Sequence, residues 1–223
     1  MTQPITLTTI SFPEINLPQG AAAKLRGYFG DYFREHSPLL HNHYDDGRSV
    51  YRYPLVQYKV RAGIPTLVGI QEGAHLMAEL FFKIKQLRIE GREYPVMERD
   101  IAFKVQEIGV GQHLTDYTFE TLWMALNQKN YAEYSDMEVE ERRAFLGRIL
   151  TGNMLSFFKG VGLFLPPEAR IMTVLRLEAE KSTLFKEQKM VAFKGAFTTN
   201  AILPDLIGLG KSVSRGFGSI KSA

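Results

Sequence analysis

Polar and apolar residues alternate along ITLTTISF, which is rich in β-branched side chains and predicts a strand near residues 5–12. Pro18 then opens a stretch with Leu25, Phe29, Tyr32 and Phe33 on one helical face, predicting a helix that runs to about His36. A polar loop, SPLLHNHYDDGRS, follows. YRYPLVQYKV and IPTLVGI read as two strands joined by the turn Arg61-Ala62-Gly63, so they should pair as a hairpin. GAHLMAELFFKIKQL places Leu76, Leu80, Phe81, Ile84 and Leu87 at helical spacing, and FKVQEIGV suggests a closing strand. That order is β-α-β-β-α-β, the ferredoxin-like pattern.

The second half repeats the theme more loosely. DYTFETLWMAL is strand-like, EVEERRAFLGRILTGNMLSFFKG is a long helix, and RIMTVLRLEAEK and KMVAFKGAFTTN are strands. No repeat is visible residue by residue, so duplication rests on element order alone. The expected fold is α+β, with two tandem ferredoxin-like (RNA-recognition-motif-like) domains, the second degenerate. The boundary falls in GVGQHLT, giving domains at 1–110 and 111–223.

Composition changes this picture little. A chain of 223 residues can bury a sizeable core as one large domain or two small ones. No apolar run approaches the ~18 residues needed to span a bilayer, so no membrane association is expected. The first twenty residues lack a basic segment followed by a continuous apolar run, which argues against a signal peptide and for the cytoplasm. The absence of cysteine excludes disulfides and thiolate metal sites. Charge is more informative. Residues 1–137 carry 14 Lys and Arg against 16 Asp and Glu, whereas residues 138–223 carry 13 against 8. A basic C-terminal part suits a phosphate backbone, although a solvated helix face would look the same.

The sharpest local signal is GLGKSVSRGFG at residues 208–218, with four glycines, two basic residues and two serines in eleven positions. It is neither G-x-x-x-x-G-K-[ST] nor G-x-G-x-x-G, since the spacings fail and no helix follows. Arg215-Gly216-Phe217-Gly218 echoes the start of an RNA-recognition consensus, with Ser219 in place of the next aromatic. Glycines let backbone N–H groups turn toward an anion, and Lys211 and Arg215 add charge beside them. A tight turn with positive φ at several glycines is the plainer alternative. The crowding of Lys211, Ser212, Ser214 and Arg215 among the glycines favours contact with nucleic acid.

RYPLVQYKV with IPTLVGIQEGAHLM, and LPDLIGLGKSVSRGFGSI at the C-terminal end, resemble CRISPR-associated repeat-processing endoribonucleases of the Cas-six superfamily, b-type branch. The resemblance covers nearly the whole chain in element order, and its most specific part is the terminal glycine-rich motif. It implies two ferredoxin-like domains and a glycine-rich loop that holds RNA through Gly208, Gly210, Lys211, Ser212, Ser214, Arg215, Gly216 and Gly218. It also implies cleavage of precursor CRISPR RNA within each repeat, with no metal ion or other cofactor. The 2′-hydroxyl attacks the adjacent phosphate, leaving a 2′,3′-cyclic phosphate and a 5′-hydroxyl. The implied partners are CRISPR repeat RNA and other proteins of a CRISPR interference complex, with the chain acting as a monomer or homodimer.

Such chemistry needs a general base, a general acid and positive charge on the phosphorane. Of the five histidines, His41 and His43 fall together in HNHYDDGRSVY, where the resembling family often places its catalytic histidine. His43 is the first candidate, His41 its partner, and Tyr51 a third group able to orient the 2′-hydroxyl. His75 reads as structural or capping, as does His113 at the domain boundary. Two rival readings share these residues. His41-x-His43-x-Asp45-Asp46 could ligate metal in a hydrolase, although it lacks flanked histidines downstream. An RNA-binding protein that never cuts would need only the glycine segment.

Overall fold

The computed structural model describes residues 1–33, 52–185 and 188–223, with the backbone alone at 184–185 and 188–189. It divides into two compact units. The first comprises Pro4–Gln106 and Ser214–Gly216; the second comprises Met1–Gln3, Glu107–Val213 and Phe217–Ala223. Among the described residues no helix is long and apolar enough to cross a membrane.

In the first unit, β1 (Thr2–Ser11) leads through a 3₁₀ turn, Gln19–Ala21, into α1 (Ala22–Tyr32). The hairpin of β2 (Val56–Arg61) and β3 (Ile64–Ile70) follows, then α2 (Glu72–Leu80). β3 pairs antiparallel with both β1 and β2, so it lies between them and makes the split β-α-β arrangement. The β2–β3 turn has φ of 47° at Ala62 and 87° at Gly63, the two left-handed residues that match a hairpin's twist. α1 turns Leu25 and Phe29 inward, where the Phe29 ring stacks on Phe12, Phe33 and Tyr58 with centroids 5.7–6.5 Å apart. Phe33 caps its C-terminal end, its N–H donating to the Phe29 carbonyl at 3.1 Å.

The stretch 73–87 departs from the predicted single helix. α2 stops at Leu80, a 3₁₀ turn covers Phe81–Lys83, and Ile84 is extended, which leads into β4 (Gln86–Ile89). β4 pairs with β5 (Arg92–Pro95) in a two-stranded sheet. Ile84 and Leu87 are still buried, but from extended backbone; a short buried apolar run does not by itself distinguish strand from helix. Inside α2 the buried residues are Gly73, Ala74, Met77 and Leu80, and Leu76 is only half-buried. His75 is exposed, its ring 6.3 Å from that of Phe103, so it serves neither as a cap nor in the core.

β6 (Asp100–Phe119) passes from the first unit into the second, and is 20 residues long where the sequence suggested eight. The second unit is built on an antiparallel sheet. Its β7 (Thr173–Phe185) pairs with β8 (Gln188–Ile202), β8 pairs with the later part of β6, and β9 (Ile220–Ser222) adds to the end of β6. After Phe119 the strand-like DYTFETLWMAL leaves the ladder, and Trp123 returns to it by exchanging backbone hydrogen bonds with Phe193. A short α3 (Gln128–Asp136) precedes α4 (Val139–Gly160). α4 buries Phe145, Leu146, Leu150, Met154, Phe157 and Phe158, with Glu140 and Glu141 in its first turn and Lys159 in its last, as the helix dipole favours. Mixed helices and antiparallel sheets give an α+β fold, in agreement with the expected class.

Candidate nucleic-acid interface

The glycine segment is laid against residues 121–124, and the sequence explains why. Trp123 is buried, stacked on Phe119 at 5.2 Å, and its indole N–H donates to Asn153 Oδ1 at 3.1 Å. Around this anchor, the Lys211 N–H donates to the Met124 carbonyl and the Gly218 N–H to that of Leu122, at 2.8 and 2.9 Å. The Ser219 N–H donates to Thr121 Oγ1, and the Leu209 N–H closes back on the Gly218 carbonyl. Gly218 has φ +64°, and a Cβ there would stand 2.0 Å from the Leu209 carbonyl oxygen. Gly216 has φ +90°, and its Cβ would lie 2.6 Å from that of Ala22. Only glycine allows either approach.

Much of the segment's backbone is therefore spent on its own fold. The N–H groups of Leu209, Lys211, Gly218, Ser219 and Ile220 already have protein acceptors. Those of Gly210 and Ser212 have none among the described residues. The plainer alternative of a glycine-built turn describes the backbone; it leaves the side chains to be explained. Lys211 is exposed on the tip, Ser212 is half-buried, and Ser214 is buried at 8% exposure. Gly208 is buried and bridged to Ser219.

Ser214–Gly216 belong to the first unit, where Gly216 sits against α1 and the Tyr58 carbonyl of β2. This brings Arg215 to Arg26 of α1. Burial, then the neighbouring charge of Arg215, lowers the Arg26 guanidinium from its usual range; burial does the same to Arg215. Tyr58, wholly buried, has its phenol pushed up by loss of solvent. Guanidinium groups do not give up their proton in proteins, so two positive charges stay within electrostatic reach of each other here. Arg26 was not among the candidates read from the sequence. It sits on the helix just after Leu25, and nothing in its local pattern ties it to a segment 189 positions later.

His41, His43 and Tyr51 lie outside the described residues, as do Asp45 and Asp46. His113 is exposed.

Comparison with known proteins decides the family. A family model for the Cas6b N-terminal domain matches residues 3–107, and one for the Cas6b C-terminal domain matches residues 109–223. The chain belongs to the Cas6b family. A crystal structure of Cas6b is 33% identical in sequence, covers 99% of this chain and all of its own, and superposes with a TM-score of 0.93. A second Cas6b, described as a CRISPR RNA processing endoribonuclease, is 30% identical over 99% of this chain and all of its own, with a TM-score of 0.80. An uncharacterized protein of Methanocaldococcus jannaschii is 33% identical over 144 residues, 65% of this chain and 97% of that one. A type IV Cas6 crRNA endonuclease, at 11% identity and a TM-score of 0.61, shares the fold alone.

Proposed function

We propose that the chain cuts precursor CRISPR RNA within its repeats by metal-independent transfer to the 2′-hydroxyl. The observation that carries this reading is the match of both Cas6b domain models, which together span residues 3–107 and 109–223. Domain 1–110 would carry the chemistry and domain 111–223 would end in the RNA-binding segment. His43 acts as the principal acid–base group and His41 as its partner, so that one removes the 2′-hydroxyl proton and the other protonates the leaving 5′-oxygen. Tyr51 orients the attacking hydroxyl. The phosphorane charge needs cations, and the guanidiniums of Arg215 and Arg26 are groups of the kind that meets that need or holds a neighbouring phosphate. Lys211 supplies a further phosphate contact from the exposed tip.

The test is incubation of purified protein with a repeat RNA in EDTA, followed by analysis of both new ends. A 2′,3′-cyclic phosphate and a 5′-hydroxyl are expected, and a 2′-deoxy substitution at the cleaved nucleotide should stop cutting without stopping binding. Cleavage that requires a divalent ion, or survives the deoxy substitution, overturns the mechanism in favour of a metal-dependent hydrolase. Tight binding with no cleavage under any condition leaves an RNA-binding protein.

A further inference from the structure

The second unit holds a cleft of about 500 Å³, well inside the range of about 300–1,000 Å³ usual for small-ligand sites. The first turn of α3 forms one wall and the β7–β8 hairpin the other. The two are pinned together by Tyr134, whose hydroxyl donates to Glu180 Oε2 at 2.6 Å and whose ring meets that of Phe193 edge-on at 5.7 Å. Leu126, Met190 and Val191 supply the apolar part of the lining. Asn127, Gln128 and the Ser182 hydroxyl supply the polar part. Tyr131, one helical turn beyond Asn127, completes the wall and leaves 48% of its surface to solvent.

The chemistry of this lining narrows the occupant. The described lining offers neutral amides, a hydroxyl and an aromatic ring, groups that pair with the edge and face of a neutral ligand. Asn127 uses its Oδ1 to cap α3, accepting from the Asn130 N–H at 2.7 Å, and so retains its NH₂ as a donor. Gln128 adds a donor and an acceptor together. An exposed aromatic ring beside neutral amides, over an apolar floor, matches a flat heterocycle with a polar edge. An aliphatic side chain would stack no better on Tyr131 than on leucine and would leave the amides unused.

We propose that this cleft takes one unpaired nucleobase of the bound RNA, stacked on Tyr131 with its edge toward Asn127 and Gln128. The proposal rests on the RNA-binding reading above and adds a base-reading contact to a surface otherwise argued from phosphates.

Affinity for a fluorescent repeat RNA would be measured by anisotropy across a salt series, for the wild type and for Tyr131→Ala, Tyr131→Phe and Gln128→Ala. Loss of one stacked base should weaken Tyr131→Ala roughly tenfold, while Tyr131→Phe keeps most of the affinity. The slope of log affinity against log salt should stay at the wild-type value, because every phosphate keeps its cation. An abasic substitution at one RNA position should reproduce the loss, and Tyr131→Ala should then cost nothing more. Gln128 is exposed at the first turn of α3, so Gln128→Ala reports on the cleft even if Tyr131→Ala unfolds. Wild-type affinity in both Tyr131→Ala and Gln128→Ala, or an altered salt slope in either, overturns the nucleobase site and leaves the RNA reading standing. A wild-type protein that binds no RNA overturns both.

Discussion

Gly218 shows how little freedom a single position can have. Its φ of +64° is costly for any side chain, and a Cβ would collide with the Leu209 carbonyl, part of a residue whose own N–H is hydrogen-bonded back to Gly218. Gly218→Ala should therefore cost more than the ~1 kcal/mol typical of point mutations, lowering the thermal midpoint by several degrees. A midpoint within a degree of wild type would mean that the segment can relax. Tyr134 makes the opposite kind of contribution, through its proton. Burial first, then its hydrogen bond to Glu180, pushes this phenol up to about 12 from an ordinary 10. Because the folded value is the higher one, the neutral phenol's stabilisation is complete below about pH 10 and is lost as pH climbs through about 12. Tyrosinate absorbance followed through an alkaline titration should lose one late-titrating phenol in Tyr134→Phe, and an unchanged late phase would refute the assignment.

Among the secondary-structure elements, the β2–β3 turn offers the simplest gain. Ala62 sits at φ 47°, where an alanine Cβ crowds the following carbonyl and asparagine is better tolerated. Ala62→Asn should stabilise the hairpin by about 0.5–1 kcal/mol, raising the midpoint by about 1–4 °C. A lowered midpoint would mean that the Ala62 methyl contributes more than its strain costs. This hairpin was also the most legible element in the sequence: IPTLVGI is β3 residue for residue, because a buried β-branched run flanked by a turn has few other conformations. α4 was legible for a related reason, its apolar face sustained from Phe145 to Phe158. β4, β5 and α3 were missed. Each is nine residues or fewer, and Leu87 continued the helical stripe of α2 closely enough to hide the change of backbone at Ile84. The glycine segment was legible as special, but its sequence could not distinguish glycines that release N–H groups from glycines that admit a neighbouring carbonyl. That distinction depends on Leu122 and Met124, over eighty positions away. Arg26 is illegible in the same way.

Across the protein, the proposed mechanism has affinity and chemistry carried by different residues. Lys211 would touch a phosphate that does not react, as would Arg215 where its pair with Arg26 holds a flanking phosphate, whereas His43 and His41 would act only on the 2′-hydroxyl and the leaving oxygen. Changing Lys211 and Arg215 together to Ala should weaken RNA binding and flatten its salt dependence, by roughly 0.7 in log–log slope for each phosphate of single-stranded RNA that is no longer neutralised. The bound RNA should still be cut at a rate near wild type if those phosphates lie away from the reacting one. His43→Ala should do the reverse, slowing single-turnover cleavage by the ~10²–10⁴-fold expected when a general acid or base is removed, with affinity and salt slope unchanged. His41→Ala should slow it less if it only assists. Arg26→Ala discriminates between two placements of the guanidinium pair. If the pair holds a flanking phosphate, the variant loses affinity and keeps its rate. If it faces the phosphorane, the rate falls while ground-state affinity changes little, since charge accumulates there only in the transition state. Loss of binding in His43→Ala as large as in the Lys211 and Arg215 variant would refute the division itself. The histidine loop would then be part of the RNA grip, and its chemistry would have to be sought in other side chains.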